Sequence, residues 1–140
     1  MIYLTRRERF SAAHKLWNVQ WTNDKNLEAF GKCSNPNWHG HNYQLFVTVK
    51  GIQDKETGFV MNLKTLSELI KKFVIDEIDH KNIDTDTDIL KGKISTTENI
   101  AVAIWERLAQ PVANSGVILH CVKLSETENN TVEYYGETNL

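Results

Sequence analysis

The eleven-residue stretch Cys33–Tyr43 constrains this chain more than any other segment. Within it, Gly40 separates His39 from His41. Residues two positions apart in an extended strand point to the same face, so both imidazoles are expected to aim at one point. Gly40 would let another backbone or a ligand come close. Two imidazoles on one face suit Zn²⁺, which takes one or two further protein ligands. The competing interpretation is two histidines that merely line a strand.

The length and composition indicate a single globular domain, residues 1–140. Hydrophobic residues make up 41% of the chain, which is enough for a core at this length. The net charge of −2 argues against a nucleic-acid partner. The first residues lack the long apolar stretch of a signal peptide, and no apolar run is long enough to span a membrane. We therefore expect a cytoplasmic protein without a membrane partner, in which Cys33 and Cys121 are free thiols.

Hydrophobic periodicity predicts four strands and two helices. Alternating residues predict strands over 2–14, 38–50, 116–125 and 131–136. Apolar residues at helical spacing predict a helix over 63–78, with Asn62 as its N-cap. A second helix is expected to begin at the capping box Ser95–Glu98 and to end before Pro111. The order of these elements predicts an α+β domain, an antiparallel sheet with helices on one face; residues 15–37 and 79–94 are expected to be irregular.

A third histidine extends the candidate metal site. His14 ends the first predicted strand, so it would complete a three-nitrogen zinc site with His39 and His41 and leave one coordination position open. Cys33 allows two interpretations. It is either a fourth ligand, which would make the site closed and structural, or a thiol that stands off the metal as a base, activated by nearby positive charge such as Lys32. Spacing alone does not decide between them.

Several further residues are candidates for acid–base or binding roles. Asp79 and His80 would make a proton relay, although adjacent residues often point apart. Glu126, at the end of the third predicted strand, would accept two parallel N–H bonds from a planar edge such as a pterin, unless it is an ordinary surface carboxylate. The residues that begin the second helix serve as caps and lie where a ligand could meet a helix N-terminus; they are Thr96, Thr97 and Glu98.

In combination, these motifs resemble the 6-pyruvoyltetrahydropterin synthase / 6-carboxytetrahydropterin synthase family. The resemblance runs from about residue 2 to about residue 137 and keeps the order of the motifs. The Cys–Asn-Pro–His-Gly-His stretch is its most specific part. The segments that carry it are Phe10–His14, Gly31–Tyr43, Met61–Leu63, Asp79–Asn82, Ser95–Asn99 and Ser125–Asn130.

The resemblance implies the tunnelling fold, a four-stranded antiparallel sheet with two helices on one side. Three chains would close their sheets into a barrel, and two trimers would stack as a hexamer with active sites between subunits. It further implies a role for each matching residue. The zinc ligands would be His14, His39 and His41, the catalytic thiol Cys33, the relay pair Asp79 and His80 of a neighbouring subunit, the pterin anchor Glu126, and the residues near the ring Thr96, Thr97 and Glu98.

The implied substrate is 7,8-dihydroneopterin triphosphate. Zinc would hold the side-chain hydroxyls, the Cys33 thiolate would take a proton from the neighbouring carbon, and elimination of triphosphate would leave a pyruvoyl group. The related branch instead releases acetaldehyde and leaves a carboxylate for the queuosine pathway. Five residues between Cys33 and His39 favour the pyruvoyl branch, whereas Trp38, where a small residue is common, would reshape the side-chain pocket.

Some features remain open at this point. A non-catalytic pterin- or zinc-binding module on the same fold is the remoter alternative. The basic residues that hold the triphosphate are not identified, and the candidates are Arg6, Arg7, Lys15 and Lys32. Whether Mg²⁺ accompanies the triphosphate, as it does in many phosphate sites, is also open.

Overall fold

A computed structural model of the chain describes residues 1–137, and a mixed sheet is its central element. The strands are β1 (Ile2–His14), β2 (His39–Gly51), β3 (Lys81–Asn82), β4 (Ile118–Thr127) and β5 (Asn130–Tyr134). Their order in the sheet is β3-β1-β2-β4-β5. The long strands pair antiparallel, while β3 runs parallel to β1 beside Ala12 and Ala13.

The predicted α+β class is confirmed, but the predicted four-stranded antiparallel sheet is wrong. The fifth strand, β3, is only two residues long and lies in the segment 79–94 that was expected to be irregular. Two residues cannot show the alternation that marks a strand in a sequence. The backbone N–H of His80 donates to the Ser11 carbonyl over 2.6 Å, and this contact brings the segment alongside β1.

Helical segments lie in every connection except the short turn between β4 and β5. They are α1 (Asn23–Phe30), α2 (Leu63–Ile70), α3 (Asp76–Ile78), α4 (Ile83–Asp86) and α5 (Thr97–Asn114). A π-helical turn, Lys71–Ile75, joins α2 to α3, so the predicted helix over 63–78 is present with one wider turn inside it. The first predicted loop contains α1, whose polar sequence carries no apolar stripe. A 3₁₀ turn, Gly31–Ser34, follows α1 directly.

The second predicted helix differs from expectation at both ends. Its N-cap is Thr96, whose hydroxyl accepts the Asn99 N–H over 3.1 Å, so the cap lies one residue later than the predicted Ser95–Glu98 box. At the other end α5 continues through Pro111 to Asn114. Proline removes a hydrogen bond here but has a helical φ. The side chain of Val112 is fully buried, and this burial stabilises the extra turn.

The core lies between one face of the sheet and the helices α2 and α5. Tyr43, Leu45, Val47 and Val49 alternate along β2 and are fully buried. They pack with apolar residues of the two helices, among them Leu66, Ile70, Ile100, Ile104 and Leu108. This alternation continues without a break to the polar end of β2, so the pattern that buries the core also aims His41 and His39 towards the helix layer. Within residues 1–137, no helix combines the length and the apolar character that a membrane crossing requires.

Candidate metal centre and active site

The three predicted histidines lie together at one end of the sheet. His14 and His39 are partners in the β1–β2 register, and His41 lies two residues further along β2 on the same face. Their ring centroids are 4.6, 5.1 and 5.0 Å apart for the pairs His14–His39, His14–His41 and His39–His41. One nitrogen from each ring lies within 4.8 Å of the other two. The pleat of two strands therefore produces three converging nitrogens.

A backbone contact fixes the orientation of His14. Its Nδ1 lies 2.7 Å from the carbonyl oxygen of Ser95. A carbonyl only accepts, so Nδ1 carries the proton and Nε2 keeps its lone pair. That Nε2 is buried and has no partner among the described protein groups. A carbonyl held against the far nitrogen of an imidazole is the usual support of a metal-binding histidine.

The local environment favours the neutral form of His39 and of His41. Burial lowers the pKa of His39, and the neighbouring rings of His14 and His41 lower it further. Burial also lowers the pKa of His41, although the Glu126 carboxylate opposes this shift. A neutral ring is the form that binds a metal. The three residues therefore form a group that could hold a metal ion through three nitrogen ligands.

Glu126 lies beside this group. Its Oε1 is 3.4 Å from Nε2 of His41, and its Oε2 accepts a hydrogen bond from the hydroxyl of Thr97. The carboxylate is 18% exposed, so it is accessible from one side only. The first residues of α5 differ in placement: Thr97 is buried against Glu126, Thr96 is occupied as the N-cap, and Glu98 is exposed. Only Thr97 of these three contacts the site directly.

Cys33 stands apart from the converging nitrogens. It is half-buried in the 3₁₀ turn, and its carbonyl accepts the Leu16 N–H over 2.7 Å. Among residues 1–137, its Sγ does not belong to the group of mutually close metal-binding atoms. This placement favours the interpretation in which the thiol stands off the metal over the closed four-ligand site.

Asp79 and His80 form the expected pair at the outer edge of β1, where both contact the Ser11 backbone. Nδ1 of His80 lies 3.0 Å from Oδ2 of Asp79, whose Oδ1 accepts the Ser11 N–H over 2.9 Å. Burial raises the pKa of the Asp79 carboxyl, but the hydrogen bonds from Ser11 and His80 outweigh it and the net pKa is lowered. The His80 side chain is 83% exposed and lines a shallow depression of about 410 Å³ together with Ser11, Asn42 and His41.

Gly40 and Asp84 are two further positions near the site. A Cβ on Gly40 would lie 3.5 Å from the Ala12 carbonyl oxygen, an ordinary contact, so no group among residues 1–137 requires glycine there. Asp84 was not singled out, yet its Oδ2 accepts both the Lys15 N–H and the Trp38 indole N–H, over 2.9 and 3.0 Å. Aspartate in an acidic loop carries no local signal for such a contact.

Comparisons with known proteins agree with this arrangement. The 6-pyruvoyl tetrahydropterin synthase family matches residues 3–137. A protein from Pongo abelii named 6-pyruvoyl tetrahydrobiopterin synthase is 49% identical over 134 residues, which cover 96% of this chain and 91% of that protein. A 6-carboxy-5,6,7,8-tetrahydropterin synthase from Haemophilus influenzae is 27% identical over 124 residues, which cover 74% of this chain and 84% of that protein.

The fold comparison points to the same family. The structure of the Caenorhabditis elegans 6-pyruvoyl tetrahydropterin synthase superposes with a TM-score of 0.90 at 37% identity. The match covers 97% of this chain and 96% of the nematode chain. Sequence and fold therefore coincide over nearly the whole chain. The protein belongs to the 6-pyruvoyl tetrahydropterin synthase family.

Proposed function

We propose that this protein is a zinc-dependent lyase that converts 7,8-dihydroneopterin triphosphate to 6-pyruvoyltetrahydropterin with elimination of triphosphate. The observation that carries the proposal is the convergence of three imidazole nitrogens beside the Glu126 carboxylate. Three protein ligands with an open position are the pattern of a catalytic zinc site. The 49% identity to a relative named for the pyruvoyl-forming activity supports the same assignment.

The zinc ligands in this proposal are His14, His39 and His41. When bound, the ion would act as a Lewis acid towards the hydroxyls of the substrate side chain. The Ser95 carbonyl holds His14 in the tautomer that presents Nε2 to the metal. Burial lowers the pKa of His39 and of His41, which favours the neutral form that binds a metal.

The proton transfers are assigned to Cys33 and to the Asp79–His80 pair. The Cys33 thiolate would accept the proton from the carbon that carries a bound hydroxyl. Hydrogen bonding keeps Asp79 ionised, and the carboxylate orients His80 through Nδ1, which leaves Nε2 free to exchange a proton. Because the His80 side chain is 83% exposed and lies at the outer edge of β1, we assign it to the active site of a neighbouring subunit.

Glu126 is assigned to recognition of the pterin ring. A pterin presents adjacent N–H donors along one edge, and a carboxylate accepts two such donors in parallel. The Thr97 hydroxyl holds one carboxylate oxygen and thereby sets the plane of the group. Each carboxylate oxygen has a second lone pair, so the bond from Thr97 does not consume the capacity to bind the ring.

The sheet edges support a homo-oligomer, a trimer or a dimer of trimers. β3 covers only Ala12 and Ala13 of the outer edge of β1, and β5 forms the opposite edge of the sheet. Open edges of this kind are ready to pair with strands of other copies, and closure into a barrel removes them. Light scattering coupled to size-exclusion chromatography would measure the mass; a monomer would contradict active sites shared between subunits.

The competing product is 6-carboxytetrahydropterin, formed from the same substrate with release of acetaldehyde. The 27% identity to a relative of that name makes this the second candidate. Mass spectrometry of the products separates the two when zinc-loaded protein is mixed with the substrate and Mg²⁺. A pterin that retains its three-carbon side chain, together with triphosphate, is the expected result. A carboxypterin would assign the second activity, and unchanged substrate would refute both.

A further inference from the structure

A cavity of about 590 Å³ begins one residue along the chain from His14. Lys15, the residue after His14, lines it, and so do Ile94 and Asn99, which flank the segment that positions His14. The volume lies within the usual range for small-molecule sites. No residue that binds the proposed metal or the pterin ring lies among its walls, so the cavity is a separate compartment next to the reaction centre.

An anchored cation forms the wall of the cavity nearest the triad. His14 and His39 are register partners, so Lys15 and Trp38 are the next residues beyond the strand ends. Nζ of Lys15 lies 4.1 Å from the centroid of the Trp38 ring and 5.3 Å from that of Trp17. Asp84 holds both residues, since one of its oxygens accepts the Lys15 N–H and the Trp38 indole N–H.

The backbone of Trp38 is strained, which indicates that the contacts of its side chain stabilise this conformation. Its φ is +60°, which is unfavourable for a bulky residue without a compensating contact. The indole hydrogen bond and the cation–π contact supply the compensation. Together they place a positive charge one residue from the candidate metal ligands.

Two further cations line the same cavity. Residues 90–93 form a tight turn in which the Lys93 N–H donates to the Leu90 carbonyl over 3.0 Å. Lys91 and Gly92 have φ values of +51° and +83°, the combination of a type I′ turn. The turn presents Lys91 and Lys93 to the cavity, and both side chains are exposed.

The charges of the cavity are unbalanced. The ion pairs found among residues 1–137 involve none of Lys15, Lys91 and Lys93. Asp84 is the acidic residue of the wall, so three ammonium groups and one carboxylate leave a net charge of +2. The N–H groups of Lys15 and of the Trp38 indole both donate to one oxygen of Asp84 and offset part of the negative charge of that carboxylate. Such a field favours a ligand that carries several negative charges.

We propose that this cavity binds the triphosphate of the substrate, with Lys15 at the inner end and the Lys91–Lys93 turn at the outer end. The inference rests on the proposed function, in which the triad holds the hydroxyls of a short side chain that ends in the triphosphate. The triphosphate must then lie next to the triad, and this cavity adjoins it. Lysine is a common phosphate ligand. The same charges would stabilise the negative charge that develops on the leaving triphosphate.

The test is the double variant Lys91→Gln/Lys93→Gln in the zinc-loaded protein. Both side chains are exposed and line no part of the core, so the variant is expected to fold. We expect kcat/KM for the pterin triphosphate to fall by about tenfold or more, since each exposed charge contact is worth up to about fivefold. The dissociation constant of inorganic triphosphate, measured by calorimetry with excess Mg²⁺, should rise by a similar factor. Metal analysis before and after the titration verifies that the probe has not removed zinc.

The matched control is Lys55→Gln/Lys64→Gln. It makes the same change in net charge with two exposed lysines that lie outside the cavity. A general charge effect would therefore lower kcat/KM and triphosphate affinity equally in the two variants. Unchanged kcat/KM and triphosphate affinity in the cavity variant, or equal losses in the control, would overturn the inference. If the wild type does not turn over, the proposed function fails, and the calorimetric arm still decides whether the cavity binds a polyphosphate.

Discussion

The substitution Glu126→Gln tests how the site recognises its substrate. Glu126 is 18% exposed, with one oxygen bonded to Thr97 and the other 3.4 Å from His41. Glutamine keeps the shape but offers one acceptor, and its amide N–H₂ would face the donors of a pterin. Two charge-assisted hydrogen bonds would be weakened or lost, at about 1.5–2 kcal/mol each. The total of about 3–4 kcal/mol predicts a loss of about 10²–10³-fold in kcat/KM.

Steady-state kinetics with the pterin triphosphate measure this loss. Fluorescence titration with a pterin that lacks the phosphates provides a second readout, and its dissociation constant should rise by a similar factor. Glu128→Gln is the matched control, because Glu128 lies on the exposed turn two residues later. A loss below about threefold would refute the anchoring role. Loss of zinc from the variant would also refute it, because Glu126 would then act on the metal through His41.

Four further predictions concern the metal, the thiol, pH and the helix end. His39→Ala should abolish stoichiometric zinc binding, as measured by metal analysis, because the two remaining imidazoles are too few to hold the ion. Retained zinc would contradict the three-ligand site. Cys33→Ala should keep zinc and lose turnover, and loss of zinc would instead indicate a closed structural site. Burial raises the pKa of Glu8, but hydrogen bonds, chiefly from Ser67, lower the net pKa below its ordinary 4.5. The ionised Glu8 therefore stabilises the fold above about pH 4.5, and this contribution is lost as the pH falls through the pKa of the folded state. In denaturant unfolding, the loss of stability caused by Glu8→Gln should therefore become smaller below about pH 4.5. Pro111→Ala should raise the free energy of unfolding by about 1–2 kcal/mol, because the helix regains a hydrogen bond; an unchanged or lower value would show that the proline is not strained.

The sequence predicted the elements whose patterns are local. The alternation along β1 and β2 and the apolar stripe of the helix over 63–78 are fixed by backbone geometry, so they can be read without a partner. The same geometry placed His39 and His41 on one face of β2. The β1–β2 register then brought His14 opposite His39, as the prediction required.

The predictions from sequence failed where tertiary packing overrode a local rule or where the segment carried no local pattern. Pro111 was expected to end α5, but burial of Val112 sustains one more turn. β3 exists because residues 81–82 lie beside β1, which two residues alone cannot indicate. The short helix α1 was missed because its mostly polar sequence carries no apolar stripe. Its start depends on the Thr22 hydroxyl, which accepts the Lys25 N–H.

By itself, the sequence determined the fold class, the family resemblance and which histidines could share a metal, since all of these rest on residue type and short-range spacing. Only the tertiary structure decided what surrounds them. The Ser95 carbonyl reaches His14 across 81 positions of the chain, and Lys91 and Lys93 meet Lys15 around one cavity. A carbonyl has no side-chain signature, and a surface lysine looks alike everywhere in a sequence. The packing of distant elements against one another makes such groups part of a site.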